Sequence, residues 1–516
     1  MHIPLRRGYS PNPDVRRADI SRIPVLPELD FDPVFLGRFD CDAILADELT
    51  LLHHTEKIDW QSSWSAELST PLWRYNLHYH EYLLPLADKY LRTLDRRYLE
   101  KAKQVISSWI NANGKVGAGS GWDSYTISMR LINWLSFYGE IKDEIEKDEV
   151  FLLQFNESLA EQYRYLGTHL EKDLLANHYL ENLKALVIGA LYFDDMPTLA
   201  LALPLFNGQL DEQILSDGMH FELSPMYHKV ILEDVLRVAS AREANDHATE
   251  GTSSIRCHLQ DMCDCLHSLE RHTARTPLFN DSGDNVAKHK DALLACAKTR
   301  FGIVPGYKDC LSDAGYYLIE REVDGRIIKL VFDAGAPGPS YALGHAHCDA
   351  LSLECFIDEQ PWIVNCGTYA YQDERRLEYK KTLSHSTVRA ADCEQSECWG
   401  AFRVARFAGS QFMALQNKDT AIVAKGRMRD FRGHEIERTI RLSDQGLEIT
   451  DEALGDFSLL SALILSGKQG GQIFDGATDI QEVNYAPEFG YHEKATRVLF
   501  SGTSPIEVKI PYNIEG

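Results

Sequence analysis

The chain has 516 residues, of which 44% are hydrophobic and 25% charged, an ordinary globular balance long enough for roughly two or three domains. A formal charge of −24 argues against nucleic acid and anionic membrane surfaces as partners, and no uninterrupted apolar run reaches transmembrane length. The opening residues lack the apolar run of a secretory signal, so a cytoplasmic location is expected for the chain as given, or a periplasmic or secreted one if the start is processed.

The first seventy residues, rich in Pro, Asp and Arg, are read as a segment (1–70) that wraps the surface. From about 81 to 298 the pattern is helical, with apolar residues three and four apart in segments 81–93, 98–111, 125–141, 151–170, 178–192, 226–241 and 254–272. No fixed-period motif repeats, so consecutive antiparallel helices are expected to close into an α/α toroid over 71–310. After Pro305 the period falls to two. Segments 316–323 and 326–332 flank Asp324-Gly325, a hairpin signal, and short strands follow at 352–357, 362–365, 420–424, 435–442 and 446–450. The fold class is therefore multidomain, α then β, with an antiparallel β-sandwich over 311–516. Eleven scattered cysteines without a C-x-x-C pair read as buried thiols in a reducing compartment.

Several constellations carry chemistry. At the head of a helix, Asn177 reads as an N-cap, or else Asn177 and His178 donate together to a substrate anion where the helix dipole favours negative charge. Positions 178 and 181 share a face, which lets His178 meet Glu181. Ser224 followed by Pro225 marks a helix start and puts Tyr227 in its first turn, where the dipole would favour a tyrosinate or where the ring simply packs. His345 and His347, two apart, are read as one face of a strand, with Asp349 on the same side. Across neighbouring strands His347, Asn365 and His385 suit one divalent metal, zinc or manganese, although an amide oxygen is a poorer ligand than a carboxylate. Trp73, Arg74, Asn76 and His78, and then Trp122, Tyr125 and Arg130, form aromatic and polar platforms suited to acidic sugars, or else to helix packing. Glu374-Arg375-Arg376 and Lys380-Lys381 supply local positive charge.

In order along the chain stand Trp73-Arg74-Tyr75-Asn76-Leu77-His78-Tyr79, Asn177-His178 with Glu181, His220-Phe221-Glu222 running on to Ser224-Pro225-Met226-Tyr227-His228, Gly344-His345-Ala346-His347, Asn365-Cys366-Gly367-Thr368, His385-Ser386-Thr387-Val388 and Gln395-Ser396-Glu397 with Trp399-Gly400. This ordered set resembles the heparinase II/III superfamily of polysaccharide lyases. The resemblance implies a toroid followed by a sandwich, and β-elimination at uronic acids of glycosaminoglycans (hyaluronan, chondroitin, heparan sulfate) or alginate, with an acidic poly- or oligosaccharide as the partner. It implies that Asn177 and His178 neutralise the uronate carboxylate. Tyr227 would be the acid, and for one C5 epimer also the base, with His345 the base for the other. His347 and His385 would hold a structural metal, Asn365 standing where relatives keep an aspartate, and Tyr371 would match a second tyrosine of alginate-cleaving relatives. Glu181 and Glu222 enter as substrate contacts, or as the paired acids of a glycoside hydrolase, the alternative enzyme. His345-x-His347-x-Asp349 also echoes a metallo-β-lactamase signature, which Ala350 and the helical half speak against. A non-catalytic acidic-glycan-binding protein is the third reading.

Overall fold

In the computed structural model of the chain, residues 3–65, 68–245, 251–418, 420–467 and 474–512 are described. Two compact units emerge, neither continuous in sequence: 1–213 with 229–260 and 287–304, and 214–228 with 261–286 and 305–516.

The first unit is an α/α toroid. Its amphipathic helices show why they form: Arg96–Ala112 buries Tyr98, Leu99, Ala102, Val105, Ile106 and Trp109 along one stripe, and Asp95 caps it by accepting Arg97 N–H at 3.0 Å. Asp148 caps Glu149–Leu166 through Phe151 N–H in the same way. Two inner helices are buried nearly all round. Ala176–Tyr192 packs on Ser124–Glu140, Glu149–Leu166 and Met196–Gln213, and Ser124–Glu140 also meets Pro71–Tyr79 and Leu83–Thr93. Among the described residues, no helix is long and apolar enough to cross a membrane.

The second unit is an antiparallel sandwich. One sheet runs Gly409–Lys418, Ala421–Arg429, Glu435–Ser443, Gly446–Ala453, Ile506–Ile510. The other runs Asp479–Glu488, Tyr491–Gly502, Leu459–Ser466, Gln360–Val364, Leu353–Ile357, Arg326–Asp333, Tyr316–Val323, Cys310–Leu311, with Val388–Ala390 paired to Leu459–Ser466. Alternation sets each face: in Ile506–Ile510 the three apolar side chains are buried, and Glu507 and Lys509 are exposed. Ile440, Leu442 and Ile449 of one sheet share a core with Leu330, Phe332, Leu353, Ile363 and Leu463 of the other. Asp324 and Gly325 both take positive φ, 51° and 78°, closing the two-residue hairpin that their dipeptide signals. A buried Arg438–Asp451 pair at 2.7 Å ties the sheets together, because the same guanidinium donates to the carbonyls of Leu351 and Ser386.

Candidate active site

The site of the second unit begins with the segment that carries Tyr227. Ser224 caps the helix Pro225–Ala244: its hydroxyl accepts Tyr227 N–H at 3.2 Å and donates to the Asp281 carbonyl at 2.6 Å. The Leu223 carbonyl accepts from Tyr316 Oη and Asn280 Nδ2, so the turn ahead of the helix is pinned from two sides. Tyr227 thus sits in the first helical turn, as the Ser-Pro pair implies. Its hydroxyl meets that of Tyr371 at 2.8 Å, and its ring centroid lies 4.3 Å from that of His345. Phe402 and Phe489 pack on Tyr371.

At the centre stands Asp281, fully buried, which no sequence pattern singles out. His345 Nδ1 lies 2.8 Å from its Oδ2 and His347 Nε2 2.9 Å from its Oδ1. Arg376 engages both oxygens, with Nη2 at 2.7 Å from Oδ2, and Thr368 donates at 3.1 Å. Burial alone would raise this carboxyl, but the Arg376 guanidinium and the two imidazole hydrogen bonds outweigh it and hold Asp281 well below the carboxylate range. Asp281 is therefore an anion facing both histidines. It orients the His345 ring through Nδ1, so that Nε2 is directed elsewhere, 3.8 Å from Glu222 Oε1.

Four expectations change here. Residues 344–349 form no strand, so His345 and His347 converge through a shared carboxylate rather than through a strand's two-residue period. Tyr227 moves opposite to the dipole argument: burial pushes its phenol upward, beyond what the Tyr371 hydrogen bond offsets. A buried neutral phenol is an acid at neutral pH. The basic run supplies no open positive patch, because Arg376 serves Asp281, Arg375 pairs with Asp373 at 2.7 Å and Lys381 with Glu378 at 2.5 Å. The metal set is incomplete as read. His347 Nδ1 and His385 Nε2 face each other at 3.0 Å, and their other nitrogens meet Asp281 and the Lys381 carbonyl, the outer contacts that orient imidazole ligands. These two rings fit a divalent cation. Asn365 does not complete the set: its Oδ1 accepts Ser386 N–H at 2.9 Å, and its buried Nδ2, with no hydrogen-bond partner, is a donor that repels a cation. Elsewhere Cys393, Asp430 and His434 cluster, but Asp430 Oδ1 accepts three backbone N–H groups and Oδ2 faces His434 Nδ1, the pattern of a clamped turn.

In the first unit the platforms are mostly core. Trp73 donates to the His54 carbonyl, Trp122 to that of Asn113, and Arg130 is spent on Gln162 and the His78 and Gly121 carbonyls. All three are buried, as is His78, whose Nδ1 accepts Trp109 Nε1–H, so sugar has no access to them. Asn76 turns its amide onto the Leu72 carbonyl, and Arg74 is half-buried. Asn177 is not an N-cap: Leu175 holds that position, and Asn177 is buried one residue into Ala176–Tyr192. His178, half-exposed, has its ring centroid 4.7 Å from that of Tyr125, the two rings tilted by 47°, and meets Glu171 at 3.3 Å, whereas Glu181 pairs with Lys184. His178 and Tyr125 remain the surface pair of this unit.

The class of protein defined here is a two-unit one, a toroid and a sandwich, the latter holding paired phenols beside a carboxylate-bound imidazole. Residues 44–301 match Heparinase II/III N-terminus and residues 305–457 match Heparinase II/III-like, C-terminal; the chain belongs to the heparinase II/III family. Among its relatives, the heparin-sulfate lyase of Pedobacter heparinus is 24% identical over 361 residues, covering 64% of this chain and 53% of that protein. The heparin-sulfate lyase of Bacteroides thetaiotaomicron is 22% identical, covering 48% and 37%. The match spans about half the length of these curated relatives or less. In fold, the chain is similar to a solved heparinase III (TM-score 0.71, 15% identity, 98% of this chain and 87% of that one) and to a heparan sulfate lyase from Pedobacter heparinus (TM-score 0.58, 19% identity, 96% and 85%).

Proposed function

We propose that the chain is a polysaccharide lyase that cleaves a uronate-bearing glycosaminoglycan by β-elimination. The observation that carries this reading is the Tyr227–Tyr371 phenol pair beside the imidazole of His345. Elimination removes the C5 proton, α to a carboxylate, and expels the C4 oxygen. It needs a base that reaches the C5 proton and an acid that reaches the C4 oxygen. His345 has the basic lone pair on Nε2, and Tyr227, held neutral by burial, has the proton for the leaving oxygen. Tyr371, whose hydroxyl meets that of Tyr227 at 2.8 Å, returns a proton to Tyr227 after turnover in this reading. The names of the relatives favour heparan-type chains over alginate.

The test is incubation with heparan sulfate, chondroitin, hyaluronan and alginate, followed by absorbance of an unsaturated uronate. Wild type is expected to generate the ultraviolet signal, and Tyr227→Phe to lose about 10²–10⁴ of the rate while keeping its circular dichroism and melting midpoint. Reducing ends released without the ultraviolet signal would mean hydrolysis and end the proposal.

His347 and His385 are proposed to hold one divalent cation, zinc or manganese, which would brace the His345–His347 segment without touching substrate. Chelation is then expected to lower the melting midpoint, with the intrinsic rate of surviving protein unchanged. Full stability after exhaustive chelation, with no metal detected by elemental analysis, would remove the cation.

A further inference from the structure

The buried thiol of Cys348, next to His347 in sequence, lies with its sulfur 3.8 Å from that of half-exposed Cys398. Cys348 is held by its backbone, with N–H donating to the Lys380 carbonyl at 3.0 Å. Cys398 begins the strand Cys398–Gly400, which among the described residues pairs only with Arg403–Val404 and belongs to neither large sheet, so it is able to shift without breaking a core ladder. A disulfide needs sulfurs about 2.05 Å apart. The required closure is less than the width of one side chain.

We propose that Cys348 and Cys398 are a redox-active dithiol that closes to a disulfide when a small-molecule disulfide oxidises it, reversibly slowing turnover. Cys398 is the sulfur that attacks. It is the more accessible of the two, and the Cys348 hydrogen bond, with Lys380 and Arg376 nearby, holds its thiol below the ordinary range. In the first step the Cys398 thiolate forms a bond to one sulfur of the oxidant, whose disulfide breaks and releases one small thiolate. In the second, the Cys348 sulfur bonds to Cys398 Sγ, the bond between Cys398 and the oxidant's sulfur breaks, and the departing small thiolate takes the Cys348 proton. The protein loses two electrons and two protons, and the oxidant is reduced to two thiols. Closure draws the Cys398 hairpin towards Cys348 and moves Phe402 in its turn, whose ring centroid lies 6.1 Å from that of His345 and 5.2 Å from that of Tyr371, so the imidazole and phenol lose their packing. A shift on the order of 1 Å there costs about 10²-fold.

The experiment treats the reduced full chain with glutathione disulfide and maps it by mass spectrometry without reduction. A loss of two hydrogens and a linked peptide pair containing Cys348 and Cys398 are expected in wild type. Cys348→Ser is expected to keep a stable glutathione adduct on Cys398, and Cys398→Ser to leave Cys348 free at unaltered basal activity. Turnover of ultraviolet product is expected to fall about tenfold or more on linkage and to return with dithiothreitol. A persistent adduct in wild type, or two free thiols, overturns the dithiol; a linked protein with full turnover overturns its effect on the site. The turnover arm rests on the lyase reading, whereas the mass arm does not, so a chain inactive even when reduced would sink that reading and leave the dithiol to be judged by mass alone.

Discussion

Asp281 holds two imidazoles and a guanidinium on two oxygens while fully buried, and this makes it the residue on which the site's geometry turns. Fully buried behind the His345 ring's Nδ1, it is a positioning residue, acting through His345. An amide in its place offers one acceptor and one donor, and the donor would face an imidazole N–H. Asp281→Asn is therefore expected to lower kcat by about 10–100-fold, the usual loss when an outer partner of a functional histidine is replaced, with KM moving little. Steady-state kinetics beside a melting curve check this. Equal losses in kcat and in stability at the assay temperature would reduce Asp281 to a structural role. Tyr371 shows the same logic from another side: burial and the neighbouring Tyr227 hold its phenol above the ordinary range, so both hydroxyls are protonated and each donates or accepts in turn.

The helix Pro71–Tyr79 shows how an element that looks functional in sequence serves packing. His78 Nδ1 accepts from Trp109 Nε1 at 3.1 Å, and His80 Nδ1, just past the helix, accepts from Trp134 Nε1 at 2.8 Å. Each ring is therefore needed neutral. Burial, with Arg130 adding to it, pushes the His78 imidazole down to about 3. Below the unfolded value of about 6.5 the unfolded chain binds a proton that the folded chain refuses, so stability is lost as pH falls from about 6.5 towards 3. His78→Asn keeps an acceptor for the indole and removes the titration. Denaturant unfolding of this variant between pH 4 and 6 is expected to show a shallower fall of stability with acid, by up to roughly one proton's slope. An unchanged slope would mean that His78 is already charged in the folded chain.

For the molecule as a whole, the charge of −24 would act against the acidic glycan proposed as substrate, and the basic run near the site is neutralised by its own acids. Diffusional encounter with a sulfated or uronate chain is thus repulsive at long range. Raising ionic strength from about 0.01 to 0.15 M shortens the Debye length from about 30 to 8 Å, and kcat/KM is expected to rise over that interval. A monotonic fall with added salt would show instead that attraction from a local positive surface governs encounter.

Periodicity is local, and what it carries was legible from the residues alone: the helical half, the change to strands after Pro305, the Asp324-Gly325 hairpin, and the Ser224-Pro225 start that sets Tyr227 in a first turn. The ordered motifs were legible as well, and they placed the chain in its family. Tertiary structure decided which polar residues serve the site and which serve the core. Trp73, Trp122 and Arg130 turn inward because their donors find carbonyls inside the toroid. Asp281 sits in an unremarkable loop 64 residues before His345, and only the folding of 261–286 onto the unit that holds 305–516 brings the two within 2.8 Å. A carboxylate's partners across such a distance leave no mark in spacing or period, because charge acts through space and period acts along the chain.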